Sequence, residues 1–579
     1  MIKKEIIDLV KKSVKKAQKN KDLSIFDIPE IHLEHPENSE FGDYSSNIAM
    51  QLAKKAKKNP LDIANILKNN TEENKNIEKI EVVKPGFINF YLSKEFFIDQ
   101  LNLITKKGRN YGENDLGRGK TYMIEFAHPN THKEFHIGHL KNILTGESIF
   151  RIFKACGYRV IRANYQGDVG PHIAKCLYSI MNNKKEYKTV RNKDLISKIS
   201  FLGKSYAEGN KEYEENKEAK EKIIDLNSKI YDQDKSILDL YKETRAWSLE
   251  YFDMIYNIVD TEFDRLYFES EVWKRGLEIV NENLKKGIFE KSEGAIIFDG
   301  KKYGLHKRVF ITQKGTSTYE AKELGLAELQ FKEYNPDKIM HIVGPEQTEY
   351  FRVVFKALEE INKNMSGKEV HVPYGWVQLK HGKMSSRKGK VVRGLWLIEE
   401  VKKKVKEIVL KSDKIKIDQK NIIEKIALAA IKYSFLKLSL NQNISFDINE
   451  SVSFEGESGP YLQYSAVRIK SILEKAKINN LKEIKNSDHL KEKEELKLLR
   501  KLYIFPEIIE EACKLHEPHL IATYIYELSQ DFNSFYGSIQ ILQAQDEKIK
   551  NARLSLAKAV LQILENGLNL IGIETVEKM

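Results

Sequence analysis

The stretch YMIEFAHPNTHKEFHIGHLKNILTGESIFRIF, residues 122–153, decides the fold of this chain. Tyr122 to Phe126 has the apolar and aromatic character of a buried strand, and from His136 to Phe153 the apolar residues recur at helical spacing. In an open parallel sheet such a strand–loop–helix junction lies at the carboxyl edge, where nucleotides bind and the helix N-terminus offers N–H groups to phosphate. The stretch therefore predicts a Rossmann-type α/β domain with a nucleotide site at this loop.

The chemistry of the loop points in the same direction. His136, Gly138 and His139 lie in it, and a second basic loop, KMSSRKG, follows far downstream at residues 383–389. Nucleotidyl transfer mainly requires positioning and donors aimed at phosphate oxygens, and imidazole and ammonium groups are such donors. Glycine at position 138 would let a nucleotide approach closely. The two loops predict a site that opens ATP at the α-phosphate, although the first loop alone is also explained by histidines that cap a helix.

Five ordered segments resemble those of class I aminoacyl-tRNA synthetases and, within that class, of the arginyl-tRNA synthetase family. They are residues 129–140, 164–170, 318–323, 343–347 and 455–465. The resemblance spans nearly the whole chain. It implies a multidomain α/β protein in which a Rossmann-type parallel-sheet catalytic domain stands between an N-terminal α+β domain and a C-terminal all-α anticodon-binding domain.

The length and the local patterns allow this organisation. At 579 residues with 41% hydrophobic content, the chain can fill two to four domains of roughly 100–200 residues each. A strand is predicted at residues 338–344, and from about residue 400 onward the pattern is almost entirely helical. We expect an N-terminal tRNA-contacting domain at 1–108, a catalytic domain at 109–400 with a helical insertion at about 180–260, a helical connector at 401–450 and an anticodon-binding domain at 451–579.

Charge and cysteine content indicate the kind of partner and the cellular compartment to expect. The chain has 96 Lys and Arg against 84 Asp and Glu, a formal charge of +12, a pI near 9.0 and a mean hydropathy of −0.49. This balance favours a polyanionic partner such as RNA. The three cysteines form no Cys-x-x-Cys pair, so neither a disulfide framework nor a zinc site is expected. Without an apolar membrane span, and with its first ten residues read as a folded helix, we expect a cytoplasmic protein.

A set of carboxylates and amides predicts the amino-acid specificity. A guanidinium is planar, always charged and rich in donors, so it calls for carboxylates with an aromatic or hydroxyl partner. Glu269, Tyr319 and Glu323 supply that chemistry, and the last two would share a helix face. The resemblance adds Asn130 and Gln347 at positions that hold the α-amino and α-carboxyl groups, and Glu125 beside them. It also shows a departure, because the family usually has aspartate where this chain has Glu323.

The resemblance also assigns the ATP site. It implies catalytic roles for Lys133, His136, Gly138, His139 and Lys383. ATP contacts are implied for Pro129, Ile137, Met384, Ser385, Ser386 and Lys388. Ser386 stands where class I enzymes usually place a second lysine. Arginyl enzymes that lack that lysine tend to carry one just before the histidine signature, as Lys133 does here.

The expected reaction has two steps and three substrates. Arginine attacks the ATP α-phosphate to give arginyl-adenylate and pyrophosphate, and the terminal ribose of tRNA(Arg) then takes the arginyl group. We expect ATP to enter with Mg²⁺, no zinc or prosthetic group, and a monomer that contacts tRNA through Tyr461, Gln463 and Arg468. The family generally needs tRNA even for activation. The alternatives are a class I enzyme for another amino acid, a stand-alone nucleotidyltransferase, and a catalytically silent RNA-binding paralogue.

Overall fold

A computed structural model describes residues 2–380, 392–410, 419–477 and 483–579 of the chain. The chain divides into two compact units, each built from three stretches of sequence. The first unit comprises Met1–Tyr111, Arg468–Phe505 and Glu527–Leu564. The second comprises Gly112–Val467, Pro506–Tyr526 and Glu565–Met579.

The N-terminal segment of the first unit is an α+β arrangement. Its elements are α1 (Ile2–Lys19), β1 (Tyr44–Ser46), α2 (Ile48–Ala56), α3 (Pro60–Asn70), β2 (Ile77–Val83), β3 (Phe87–Leu92) and α4 (Lys94–Lys107). The strands form an antiparallel sheet in the order β1-β3-β2. Gly86, at φ 154°, allows the tight turn between β2 and β3.

A five-stranded parallel sheet organises the second unit. The elements from its start through the last strand of this sheet are β4 (Thr121–Glu125), α5 (Ile137–Ala155), β5 (Arg159–Gln166), α6 (Pro171–Asn182), α7 (Lys184–Val190), α8 (Leu195–Glu215), α9 (Lys217–Tyr231), α10 (Lys235–Val259), β6 (Arg265–Phe268), α11 (Glu269–Leu284), β7 (Glu290–Ser292), β8 (Ala295–Asp299), β9 (Lys307–Ile311), α12 (Tyr319–Tyr334), β10 (Lys338–Val343), α13 (Thr348–Ile361) and β11 (Glu369–Pro373). The strand order is β11-β10-β4-β5-β6, and every neighbouring pair is parallel. The Rossmann-type prediction is confirmed.

The central strand β4 is flanked on both sides by apolar strands. Met123, Ile161 and Ile339 come from β4, β5 and β10 and pack in one buried cluster with Tyr267 and Leu326. A separate antiparallel sheet, β7-β8-β9, lies in the chain between α11 and α12. The strand order brings the carboxyl ends of β4, β5 and β10 to one edge.

The remaining elements are mainly helices, as the sequence predicts from about residue 400. They are β12 (Val377–Leu379), α14 (Gly394–Leu410), α15 (Gln419–Leu436), β13 (Ile444–Phe446), α16 (Ile448–Ser451), α17 (Gly459–Ala476), α18 (Lys493–Tyr503), α19 (Phe505–Leu515), α20 (His519–Ser538) and α21 (Glu547–Leu570). The sequence did not indicate the parallel pairing of β13 with β12. Among the helices in the described ranges, none has the length and apolar character needed to cross a membrane.

Candidate active site

A cavity of about 980 Å³ opens at the carboxyl edge of the parallel sheet in the second unit. It brings together most of the site residues predicted from the catalytic part of the sequence. Those that line it are Glu125, Asn130, His136, Ile137, Gly138, His139, Glu269, Tyr319, Glu323 and Gln347. They are separated by up to 222 positions in the chain (125 to 347), and the sheet order is what makes them neighbours.

The two histidines form the start of α5. His136 is the N-cap, and its Nδ1 accepts hydrogen bonds from the backbone N–H groups of Gly138 (3.1 Å) and His139 (3.3 Å). The Nδ1 of His139 accepts in turn from the His136 N–H at 3.2 Å. Because both Nδ1 atoms accept, each neutral ring carries its proton on Nε2, where it can donate to a ligand.

Burial keeps both imidazoles neutral. Burial and the charge of Lys133 lower the pKa of His136 to about 4. Burial and the neighbouring His136 lower the pKa of His139 well below its usual value. The rings stack with their centroids 3.7 Å apart. The pair therefore caps a helix and lines the cavity at once, as a rigid pair of neutral donors.

Gly138 is required for a reason that the sequence does not show. A Cβ at this position would lie 2.9 Å from Cε1 of the His136 ring. The residue thus makes room for the capping imidazole. The sequence-based explanation, close approach of a nucleotide, stays a prediction.

Lys133 and Pro129 lie near the cavity but outside its lining. The Nζ of Lys133 is 5.2 Å from the ring centroid of Tyr206. Burial and Lys175 lower the pKa of Lys133. Its charge nevertheless acts on the site, since it contributes to lowering the pKa of His136.

The second basic loop falls outside the described residues. Lys383, Met384, Ser385, Ser386 and Lys388 therefore have no structural account. The residues on either side, Lys380 and Val392, both line the cavity. The N–H of Ile137 donates to the Val392 carbonyl at 3.0 Å, which ties the segment after the loop to the histidine signature.

The predicted guanidinium-binding residues lie on α11 and α12. Glu269 begins α11 and is buried, and its Oε2 accepts from the Nζ of Lys322 at 2.5 Å. Tyr319 and Glu323 are one turn apart on α12 and face the same cavity. Burial and the nearby Glu125 raise the pKa of Glu323 to about 8. The predicted shared helix face is confirmed.

Lys322 is a residue of this site that the sequence interpretation missed. It is buried, and the attraction of Glu269 raises its pKa despite the opposing effect of burial. Its position on α12 between Tyr319 and Glu323 could have indicated from the sequence that it belongs to this site. Its partner Glu269 is 53 positions away, so the ion pair could not be read from local spacing.

Glu125 is held on both oxygens. Its Oε1 accepts from the Nδ1 of His341 at 3.0 Å, and its Oε2 accepts from the side-chain amide of Gln330 at 2.5 Å. Burial opposes the charged carboxylate, but His341 outweighs that effect and lowers the pKa of Glu125. The cavity therefore contains a fixed, charged carboxylate beside Asn130 and Gln347.

The three predicted tRNA-contact residues each make contacts within their own unit. Gln463 is fully buried in the second unit, where its amide donates to the Glu574 carbonyl at 2.6 Å. In the first unit, Arg468 donates from Nη1 to Oδ1 of Asn533 at 2.7 Å. The ring of Tyr461 meets that of Tyr526 edge-on at 5.7 Å in the second unit. Gln463 thus serves packing and offers no surface for RNA.

Within the part of the chain that the structure describes, no group of three or more His, Cys, Asp or Glu side chains could hold a metal ion. The three cysteines are buried free thiols.

Three family models match successive parts of the chain. "Arginyl tRNA synthetase N terminal domain" matches residues 4–92, "tRNA synthetases class I (R), catalytic domain" matches residues 100–448, and "DALR anticodon binding domain" matches residues 462–579. The catalytic model alone covers more than half of the chain.

Full-length relatives and solved structures agree with these models. The chain is 34% identical to the arginine–tRNA ligase of Treponema denticola over 95% of both chains, and 34% identical to that of Clostridium botulinum over 100% of both. The arginyl-tRNA synthetase structure from Thermus thermophilus has the same fold with a TM-score of 0.83 at 23% identity, covering 100% of both chains. The one from Plasmodium falciparum has a TM-score of 0.81 at 24% identity, covering 100% of this chain and 99% of that one. The chain belongs to the arginyl-tRNA synthetase family of class I aminoacyl-tRNA synthetases, enzymes that activate arginine with ATP and transfer it to tRNA.

Proposed function

We propose that the cavity at the carboxyl edge of the parallel sheet is where arginine and ATP react, and that the residues identified from the sequence divide between its two substrates. The observation that carries this assignment is the convergence of three carboxylates, Glu125, Glu269 and Glu323, beside the paired Nε2–H donors of His136 and His139. Arginine brings two positive groups, and ATP brings the negative phosphates. The cavity offers the opposite charge or a donor to each.

In this proposal the guanidinium lies between Glu269 and Glu323 with Tyr319 against it. Carboxylates can accept its paired N–H donors in fork geometry. Lys322 already neutralises part of the charge of Glu269, so Glu323 supplies the larger share of new attraction. Glu323 is longer than the family's usual aspartate by one methylene, and its position on α12 lets it reach the same cavity.

The other end of arginine is assigned to Glu125, Asn130 and Gln347. The fixed carboxylate of Glu125 accepts from the α-ammonium, and the amides orient the α-carboxylate toward ATP. A carboxylate oxygen then attacks the α-phosphorus, a C–O–P linkage forms, and the bond to pyrophosphate breaks. The electron pair leaves with pyrophosphate, so the step needs no general base.

His136 and His139 act on the phosphates in this proposal. Neutral Nε2–H donors stabilise the charge that develops on the phosphate oxygens in the transition state. Lys133 and Lys383 are proposed to add positive charge, with Gly138, Ile137, Pro129, Met384, Ser385, Ser386 and Lys388 completing the ATP site. ATP brings Mg²⁺ with it as part of the substrate complex.

Transfer requires the tRNA domains. The C-terminal helices from residue 451 onward are proposed to contact the anticodon, with Tyr461 and Arg468 as candidate contacts, and residues 1–108 to contact tRNA elsewhere. The domain limits 109–400 and 401–450 belong to the same proposal. We further propose that the protein is a cytoplasmic monomer.

The test is arginine-dependent ATP–pyrophosphate exchange in the presence of tRNA(Arg), run with a panel of other amino acids. The wild-type chain should exchange with arginine alone. Glu323→Gln should lower kcat/KM for arginine at least tenfold while the KM for ATP stays within about twofold. An equal loss for both substrates would remove Glu323 from the guanidinium site.

A further inference from the structure

Glu125 is the first of three buried ionisable side chains in a line, followed by His341 and Glu369. The imidazole of His341 donates from Nδ1 to Glu125 at 3.0 Å and from Nε2 to Oε2 of Glu369 at 2.7 Å. The three residues come from the adjacent strands β4, β10 and β11, where His341 is in register with Glu125. Only Glu125 of the three lines the main cavity. His341 and Glu369 therefore reach the cavity only through it.

The histidine is held in its charged form. Burial opposes the imidazolium, but the two carboxylates outweigh it and raise the pKa of His341 well above its usual value. An imidazole that donates from both nitrogens must carry both protons. The three groups are therefore the Glu125 carboxylate, the His341 imidazolium and the Glu369 carboxylate. Together they carry one net negative charge, and the Glu125 carboxylate is the member that lines the cavity.

Three further titratable side chains interact electrostatically with His341. The loop after β4 brings His128, and β11 brings His371; the pKa of each is lowered, with burial as the largest cause, so both are neutral. On α12, Glu323 is a further acid near this group, and the charge of His341 acts to lower the pKa of Glu323 against the effect of burial. The helix α13 contributes aromatic rings, with the Phe351 centroid 5.1 Å from the His341 ring.

Glu125 depends on this arrangement for its charge. It is almost completely buried and lies close to the acid Glu323, and both conditions favour a protonated carboxyl. The imidazolium is the largest influence acting in the other direction. Without the imidazolium, burial would favour the protonated carboxyl of Glu125, which attracts a cation less than the carboxylate does.

We propose that His341 and Glu369 are positioning residues that fix the orientation and the charge of Glu125 for the α-ammonium group of arginine. This inference rests on the assignment of Glu125 to that group in the proposed function. Glu369 holds the ring of His341, and His341 holds the carboxylate, so each acts on the substrate only through its neighbour. Their effect should be confined to ligands that carry an ammonium.

Three ligands test this specificity. L-Arginine and agmatine both carry a guanidinium and an ammonium, whereas 5-guanidinovalerate carries the guanidinium and the carboxylate without the ammonium. Dissociation constants are measured by calorimetry on the full-length chain and on His341→Gln and Glu369→Gln. Both variants should bind L-arginine and agmatine about tenfold more weakly or worse, and 5-guanidinovalerate within about twofold of wild type.

The pH dependence gives a second signature of a positioning role. In His341→Gln the pKa of Glu125 should rise, so the loss of L-arginine affinity relative to 5-guanidinovalerate should grow as the pH falls. Equal weakening of all three ligands, or no weakening of the two amines, would overturn the proposal. The proposal would also be overturned if, in His341→Gln, the ratio of L-arginine affinity to 5-guanidinovalerate affinity did not change with pH.

Two further variants separate the possible failures. Glu125→Gln should weaken the two amines selectively; if it weakens all three ligands equally, the assignment of Glu125 fails. If Glu125→Gln is selective but His341→Gln and Glu369→Gln are not, the positioning role alone fails. His371→Gln is the matched control, because His371 is the neighbouring histidine on β11 and bonds to the Val343 carbonyl instead of Glu125. Its ligand ratios should equal those of wild type, and melting temperatures show which variants are folded.

Discussion

In the proposed guanidinium site, Glu323 should make arginine binding dependent on pH. In the empty site burial and Glu125 raise the pKa of Glu323 to about 8, so below that pH the carboxyl is mainly protonated. A bound guanidinium favours the carboxylate, and binding at lower pH must therefore release a proton. Arginine affinity should rise about tenfold per pH unit up to about pH 8 and level off above it.

Calorimetry in buffers of different ionisation enthalpy measures this proton release directly. Glu323→Gln cannot release the proton, so its arginine affinity should lack the pH-dependent step while remaining weaker at high pH. Release that persists in Glu323→Gln would assign the proton to another group. Affinity that falls as the pH rises would contradict the sign of the effect.

Gly138 should tolerate no side chain. In Gly138→Ala the new Cβ would meet the His136 ring at 2.9 Å and push the capping imidazole out of place. Losing one well-placed donor to a transition state costs about 100-fold in kcat. We expect a loss of that order in ATP–pyrophosphate exchange, with arginine binding within about threefold of wild type. A variant with unchanged kcat would show that His136 does not act on phosphate.

At the scale of single residues, the sequence identified which residues belong to the site better than it explained why each is needed at its position. The residues at 125, 130, 136 and 138 were assigned from motifs, and all line the cavity. The contact that forbids a side chain at 138 depends on the rotamer of His136, which a sequence does not specify. The ion pair of Lys322 with Glu269 depends on how α11 and α12 pack, and that packing involves residues 53 positions apart.

At the scale of elements, α5 supports more than the histidine signature. Lys141, on its second turn, is buried and donates to the Gly375 carbonyl at 2.8 Å and to the Gln442 carbonyl at 3.5 Å. Gly375 precedes β12 and Gln442 precedes β13, so one ammonium anchors the starts of both parallel strands to α5. Trp376 to Lys380, which follow immediately, line the cavity.

Lys141→Met should therefore affect both stability and ATP. The two carbonyls lose a charged donor, which should lower the free energy of unfolding by about 1–3 kcal/mol. The KM for ATP should rise several-fold more than the KM for arginine, because the glutamates proposed to bind arginine lie on elements other than β12 and β13. Urea denaturation and exchange kinetics measure the two effects.

The control is another buried lysine of the same unit. Lys432 donates to the Gly572 carbonyl and does not line the cavity. Lys432→Met should destabilise the chain comparably and leave the KM for ATP unchanged. If both variants raise that KM alike, the effect of Lys141 is general loss of stability.

The elements themselves were largely predictable, whereas their pairing was not. The strands at 121–125 and 338–343 and the helix at 137–155 follow from apolar periodicity. That β4 lies between β10 and β5 brings His341 opposite Glu125 across 216 positions of sequence, a pairing that local periodicity cannot predict. The short β12–β13 pair was missed because each strand has only three residues, too few to show an alternating pattern.

At the scale of the whole molecule, the first unit joins parts of the chain that are far apart in sequence. Asp43, beside the N-terminal sheet, is buried and accepts from Nε of Arg500 on α18 at 3.0 Å. Its other oxygen accepts from the Leu92 N–H at 2.8 Å. Burial raises the pKa of Asp43 more than Arg500 lowers it, so the carboxylate is costly to bury and depends on its partners. Family models place the two residues in different domains, yet they belong to one compact unit.

Arg500→Gln should therefore lower the stability of the first unit without changing the arginine site. Removing the cation leaves a buried carboxylate with fewer partners, and because the arginine is partly exposed we expect a loss of about 1–2 kcal/mol. Every residue lining the cavity belongs to the second unit, so arginine affinity should stay within about twofold of wild type. Asp43→Asn in the Arg500→Gln background should restore part of the loss, since the uncompensated charge is gone.

The matched control is Arg553→Gln. Arg553 pairs with the buried Glu495 at 2.7 Å in the same unit but contacts no N-terminal segment through that bond. Denaturation of chains with and without residues 1–92 shows whether each variant loses stability through a bond to the N-terminal segment or through a bond within the C-terminal helices. Removing the N-terminal segment should abolish the effect of Arg500→Gln and preserve that of Arg553→Gln, because only the first variant removes a bond to that segment. An effect of Arg500→Gln that survives the truncation would mean that Arg500 stabilises the C-terminal helices directly and that the ion pair with Asp43 does not join the two parts of the unit.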